Sequence, residues 1–111
     1  MEWKHIDTWR GYSVSDTGEV RRDKDNKILK QYLQKNGYVC VWLNRGYGNK
    51  PVPVHRLVAE AFIPNTNNKP FVDHIDTNRS NNNVSNLRWA TEKENSNNPI
   101  TLINMSKSHK K

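Results

Sequence analysis

Phe71-Val72-Asp73-His74 opens the stretch that decides the fold, and Leu87-Arg88-Trp89-Ala90-Thr91-Glu92-Lys93-Glu94-Asn95 closes it. Phe71-Val72-Asp73-His74 and Leu87-Arg88-Trp89-Ala90 each have the length and composition of a short strand. Residues 77–85 between them are crowded with asparagine, a turn-forming composition, because that side chain bonds nearby backbone and tolerates left-handed φ. Thr91-Glu92-Lys93-Glu94 has the form of a capping box, in which hydroxyl and carboxylate each satisfy a free amide at a helix start. The order is therefore strand, loop, strand, helix. A hairpin folded against a helix brings the end of its first strand near the helix's first turns, so Asp73, His74 and Asn95 can meet.

Working back toward the N-terminus, Val54, Leu57, Val58, Ala61 and Phe62 fall at helical spacing and Pro64 closes the segment, which predicts a helix over 55–62. The region before it reads as short strands. Tyr12-Ser13-Val14-Ser15 and Glu19-Val20-Arg21-Arg22 flank the hairpin turn Asp16-Thr17-Gly18, and residues 28–32 form a third strand. Tyr38-Val39-Cys40-Val41-Trp42-Leu43, after the turn dipeptide Asn36-Gly37, is the strongest strand of all. Residues 44–49 turn the chain into a partner at 50–54, where Pro51 and Pro53 suit an edge. Trp42, Leu57, Val58, Phe62 and Trp89 are the expected core. The fold class is thus α+β: a small antiparallel N-terminal sheet over 1–53, a strand-strand-helix core over 54–98, and a basic tail over 99–111.

Eighteen basic against eleven acidic residues give a formal net charge of +7, which favours a polyanionic partner through counterion release. The excess is spread along the chain, with ten basic and six acidic residues in 1–50 and eight and five in 51–111. A single cysteine, Cys40, excludes an intrachain disulfide framework and a multi-cysteine zinc site. No apolar run is long enough for a bilayer and Met1-Glu2-Trp3-Lys4-His5 lacks a signal-peptide pattern, so the expected location is the cytosol of a host cell.

Hydrolysis of a phosphodiester needs a group that takes a proton from water and a cation that neutralises charge growing on the phosphate. A histidine with its ordinary pKa of about 6.5 is largely neutral at physiological pH, so His74 suits the first task. Asp73, on the opposite side of the strand, can offer carboxylate oxygen to an ion, with the Asn95 carbonyl as a second ligand. Water and the scissile phosphate would complete the site, as is common for magnesium.

Val72-Asp73-His74-Ile75-Asp76, Asn82-Asn83, Asn86-Leu87-Arg88-Trp89-Ala90-Thr91 and Glu94-Asn95 together resemble the motif of phage-type HNH homing endonucleases, whose core is a ββα-metal (His-Me finger) fold. Asn86 follows His74 by twelve positions and Asn95 follows Asn86 by nine, with a Leu-x-Trp signature between. The segment from Trp9-Arg10-Gly11-Tyr12 to Glu19-Val20-Arg21 resembles the nuclease-associated modular domain found ahead of such nucleases. The resemblance implies His74 as general base, Asn86 as the brace that orients it, and Asp73 and Asn95 as ligands of one Mg2+ or Mn2+. It also implies cleavage of double-stranded DNA to 5′-phosphate and 3′-hydroxyl ends. A monomer would nick and a homodimer would cut both strands. A phage or mobile-element origin goes with it. The family name expects histidine at the last position, where this chain has Asn95, as phage intron-type members do.

On this reading Arg21, Arg22, Lys24, Lys27, Lys30, Lys35, Arg45 and Lys50 are candidate phosphate contacts, and Arg79 and Arg88 lie nearer the ion. His55 takes a structural, backbone-contacting or supporting role, Asp76 caps the loop, and His5 and His109 are exposed. A DNA-binding module of a mobile element that has kept the fold without cleavage is the competing reading. A role away from DNA, such as inhibition of another protein, is the third.

Overall fold

The computed structural model describes residues 1–44, 46 and 48–96. The Asn36-Gly37 turn and the alternation after it produce the central strand β6 (Val39–Asn44), which pairs antiparallel with β5 (Gln31–Leu33) on one side and β7 (Asn49–Pro53) on the other. Prolines 51 and 53 lie on β7, an edge strand that need not donate on its open side. A second antiparallel sheet precedes this one, with β1 (Trp3–His5), β2 (Tyr12–Ser15), β3 (Val20–Arg22) and β4 (Lys27–Ile28) in that order.

Two expectations change here. The single strand over 28–32 is two strands in two sheets, and the N-terminal region accordingly holds two sheets rather than one. The physical reason is a hand-over at Leu29: its amide still bonds Val20 O at 2.8 Å and its side chain packs on the core, while Gln31 starts pairing with Val41. Strand β1 escapes a reading by periodicity, because only three residues long it carries no resolvable alternation.

Helix α1 (Val54–Phe62) follows directly from β7, turning Val54, Leu57, Val58 and Ala59 inward. They meet Val14 and Val20 from the first sheet, Val41, Leu43 and Val52 from the second, and Val72 and Leu87 from the hairpin described next, so one core joins all three parts. Trp42 is a correction to the expected core. Period-two alternation on β6 points Val41 and Leu43 inward at 0% exposure, which leaves Trp42 on the outer face at 48%.

The last part is the ribbon of β8 (Phe71–His74) and β9 (Leu87–Ala90), with Asp73 opposite Arg88 and His74 opposite Leu87. A single 3₁₀ turn, Val84–Asn86, leads into β9, and α2 (Glu92–Ser96) leaves it and packs back on both strands. The capping box forms as read: Glu94 N donates to Thr91 Oγ1 and Thr91 N to Glu94 Oε1, each at 3.1 Å. Half-buried Trp89 donates its indole N–H to Ile63 O at 2.8 Å, tying the ribbon to the end of α1. Among the described residues no helix is long and apolar enough to cross a membrane. The tail over 99–111 lies outside the described residues.

The facing of β6 is testable. Leu43→Ala is expected to cost about 2–5 kcal/mol in urea unfolding, as buried leucines do, whereas Trp42→Ala should cost clearly less despite losing more atoms. Equal losses would contradict the assigned inner and outer faces.

Candidate active site

His74 ends β8 and is 4% exposed, and what holds it follows from the loop that comes next. Ile75 N donates to Asn86 O at 2.8 Å and Thr77 N to His74 O at 2.9 Å, so the chain turns sharply at the strand end. Asn86 closes this turn with its side chain. Its Oδ1 accepts from Asp76 N at 3.0 Å, and its Nδ2 donates to Asp76 Oδ1 at 2.8 Å and Asn81 O at 2.9 Å. All the amide's functions are thereby directed to loop backbone and the Asp76 carboxylate, and none to the His74 ring. Asp76 is the loop's capping carboxylate. Bonds from the Asn81 side chain, the Asn78 backbone and Asn86 hold it below the usual carboxylate range.

The ring itself meets Asn82. Asn82 Oδ1 lies 2.8 Å from His74 Nε2, and Asn82 is 6% exposed. His55, from the first turn of α1, lies 5.1 Å from His74 between ring centroids and stacks on Tyr38 at 4.8 Å. Its Nδ1 is buried and makes no hydrogen bond among the described residues. Burial, then the neighbouring His74 and Arg56, push the His55 pKa down to about 4. His55 therefore sits as a neutral ring behind His74. Asn82 belongs to the motif that carries the family resemblance, but neither its contact with the ring nor that of Tyr38 follows from spacing, since both arrive from loops whose course depends on tertiary packing.

Asp73 is 6% exposed and accepts from Arg88 Nε at 3.0 Å across the ribbon. Arg88 also reaches the backbone O of Glu94 at 3.3 Å, so it spans from β8 to α2. Lys69 grips the Glu94 carboxylate at 2.8 Å and, ahead of the capping bonds, holds its pKa at about 2. Asn95 lies on α2 beside β8, and its side chain is outside the described residues. Among the described residues no three His, Cys, Asp or Glu side chains converge as a protein cage for an ion. One buried carboxylate and one amide residue on facing elements make a sparse oxygen donor set. That set fits a hard divalent ion sharing its shell with water and phosphate, and does not fit structural zinc.

The other basic candidates are dispersed. Arg79 lies over the Tyr38 ring at 4.7 Å and bonds Asn36 O, near the His74 side. Arg21 stacks on Trp3 at 4.4 Å, Arg22 pairs with Asp25 at 2.7 Å, and Lys30 lies over Tyr32 at 5.6 Å. Lys24, Lys27, Lys35 and Lys50 are exposed, all on the N-terminal sheets and turns. Arg45 lies outside the described residues. His5 is exposed and shares Asp23 with Ser13. His109 also falls outside.

A two-stranded ribbon with a helix packed back on it, histidine ending the first strand and asparagine closing the loop, defines the ββα-metal class. Residues 52–97 match the HNH endonuclease family and residues 1–44 match the NUMOD4 motif. The chain belongs to the HNH endonuclease family, with a NUMOD4 motif ahead of the family domain. It is similar to the DNA endonuclease I-HmuI of Bacillus phage SP01, at 44% identity over 110 residues covering 96% of this chain and 63% of the relative. An uncharacterized HNH endonuclease of Acanthamoeba polyphaga mimivirus is 43% identical over 84 residues, covering 76% of this chain and 26% of that protein. Among solved structures, one described as DNA binding and cleavage by the HNH homing endonuclease I-HmuI superposes with a TM-score of 0.83. That match is 42% identical and covers 99% of this chain and 65% of the other. The chain thus spans less than two thirds of the length of these relatives.

The depressed pKa of His55 carries a pH dependence. Unfolded, it titrates near 6.5; folded, near 4, so the folded state binds fewer protons between these values. Its contribution to stability is complete above about pH 6.5 and is lost as pH falls toward 4, up to about 3 kcal/mol. In His55→Phe, which keeps a ring between Tyr38 and His74, urea unfolding should show a shallower fall across that window. An unchanged slope would place the dependence elsewhere.

Proposed function

We propose that the chain hydrolyses phosphodiester bonds of double-stranded DNA with one divalent ion, Mg2+ or Mn2+, at the end of the β8–β9 ribbon. The observation that carries this reading is the placement of His74 beside Asp73 at the end of β8, on a loop closed by Asn86 and facing the helix that bears Asn95. His74 is the general base that takes a proton from the attacking water. Asn86 is its brace, acting through the loop backbone. Asp73 and Asn95 would hold the ion, which when bound supplies the positive charge that offsets the phosphate and leaving oxygen.

On this reading the basic groups divide the work of holding DNA. Arg88 neutralises the Asp73 carboxylate at 3.0 Å, and with an ion bound there its guanidinium would be available to a phosphate oxygen. Arg79, stacked on Tyr38, flanks the base and holds the scissile strand. Arg21, Arg22, Lys24, Lys27, Lys30, Lys35, Arg45 and Lys50 supply the phosphate contacts of the N-terminal region. Residues 1–53 form the DNA-binding part, residues 54–98 the nuclease core, and residues 99–111 a basic tail. One such site cuts one strand, so a monomer nicks and a homodimer cuts both.

Incubation of supercoiled plasmid with Mg2+ or Mn2+ should yield nicked circles. His74→Ala should slow nicking by about 10²–10⁴-fold, the usual worth of a general base. Asp73→Ala and Asn95→Ala should lose metal-dependent cutting and keep salt-sensitive DNA binding. No nicking by the native chain, with DNA binding intact, would favour a DNA-binding module that has lost cleavage.

A further inference from the structure

Asn82 and His74 are both buried, so no bulk water competes for the bond between them. A neutral imidazole carries one N–H and one lone pair, and which nitrogen has which is set by its partner. Here the partner atom is a carbonyl oxygen, which only accepts. Nε2 is then the donor and Nδ1 keeps the lone pair.

What places Asn82 comes from the other end of the chain. Val84 N donates to Asp16 O at 2.8 Å, and Gly18 lies directly against Asn82. A Cβ at position 18 would come within 3.0 Å of Asn82 Cβ and 3.1 Å of its backbone oxygen. The turn is itself fixed, because Gln31 Nε2 donates to Gly18 O at 2.7 Å and Asp16 N to Glu2 O at 3.0 Å. On its other side Asn82 is flanked by Asn81, whose carbonyl is held by Asn86.

We propose that Asn82 is a positioning residue that fixes the His74 ring as its Nε2–H tautomer, and that the Asp16-Thr17-Gly18 turn of the first sheet holds Asn82 in place. This builds on the reading of His74 as general base. The base nitrogen is then Nδ1, and the N-terminal sheet is a structural part of the active site.

The experiment reads the ring directly, by long-range proton–nitrogen NMR of the 15N-labelled full chain without ion or DNA, at roughly pH 9, where an ordinary histidine is neutral. The native chain is expected to show Nε2–H at His74. Asn82→Ala should give mixed tautomers and lower kcat for nicking about tenfold or more with little change in KM, as loss of a tautomer-setting partner does. Asn82→Asp keeps an acceptor oxygen and should restore Nε2–H. Gly18→Ala should disturb the His74 signals. Gly11→Ala, at a φ of 90° close to the 92° of Gly18 but with nothing within 4 Å of the added carbon, should not. A native Nδ1–H tautomer, or an unchanged tautomer in Asn82→Ala, would overturn the inference. Because this readout needs no cleavage, failure of plasmid nicking would count against the nuclease reading alone.

Discussion

The side chain of Asn86 is the interaction on which the site depends. A two-stranded ribbon has little stability of its own, and the long loop between β8 and β9 carries Asn82, which meets the His74 ring. Asn86 gathers that loop with one acceptor and two donor bonds, to both ends of Asp76 and to Asn81. It is 8% exposed, so losing any of these partners would leave a buried polar group unsatisfied, at about 1–3 kcal/mol each. Together with bonds from Asn81 and the Asn78 backbone, the same clasp holds the Asp76 pKa below the usual carboxylate range and ties the side chain into the loop. A strand end, a turn and the loop that carries Asn82 are aligned by one amide.

Charge around this clasp is balanced in pairs. Arg88 meets the buried Asp73 carboxylate and the end of α2, and Lys69 meets Glu94, which also caps that helix. The five described residues of α2 would not persist as a helix by propensity alone. Its cap, the lysine and the arginine together fix the element that carries Asn95. Behind His74, the neutral ring of His55 supplies packing without adding a charge.

Much of this was legible in the sequence because it is local. The capping box, the helix ending before Pro64, the Asp16-Thr17-Gly18 hairpin turn and the strand at Tyr38-Val39-Cys40-Val41 each follow from neighbours within a few positions. What was not legible depends on contacts between distant segments. Nothing near residues 28–32 announces that the chain leaves one sheet for another at Leu29, since the signal is a bond to Val20 and a side chain in a shared core. Trp42 reads as core by its size, and only the facing of Leu43 and Val41 turns it outward. Asn82 is one of a run of asparagines, and what distinguishes it is burial under a turn more than sixty positions earlier.

That contact bears on how such chains can be recombined. A NUMOD4 motif followed by a family domain looks like two exchangeable cassettes joined by a tether. Here the seam is stitched at Asp16 O to Val84 N and moulded at Gly18 against Asn82. A chimaera that replaced the first cassette with a different DNA-reading unit would have to import a turn of the same shape, a carbonyl at the same place and a residue with no side chain at its tip. Inheritance of the two halves should therefore be coupled at those few positions even where the rest of the first half is free to drift.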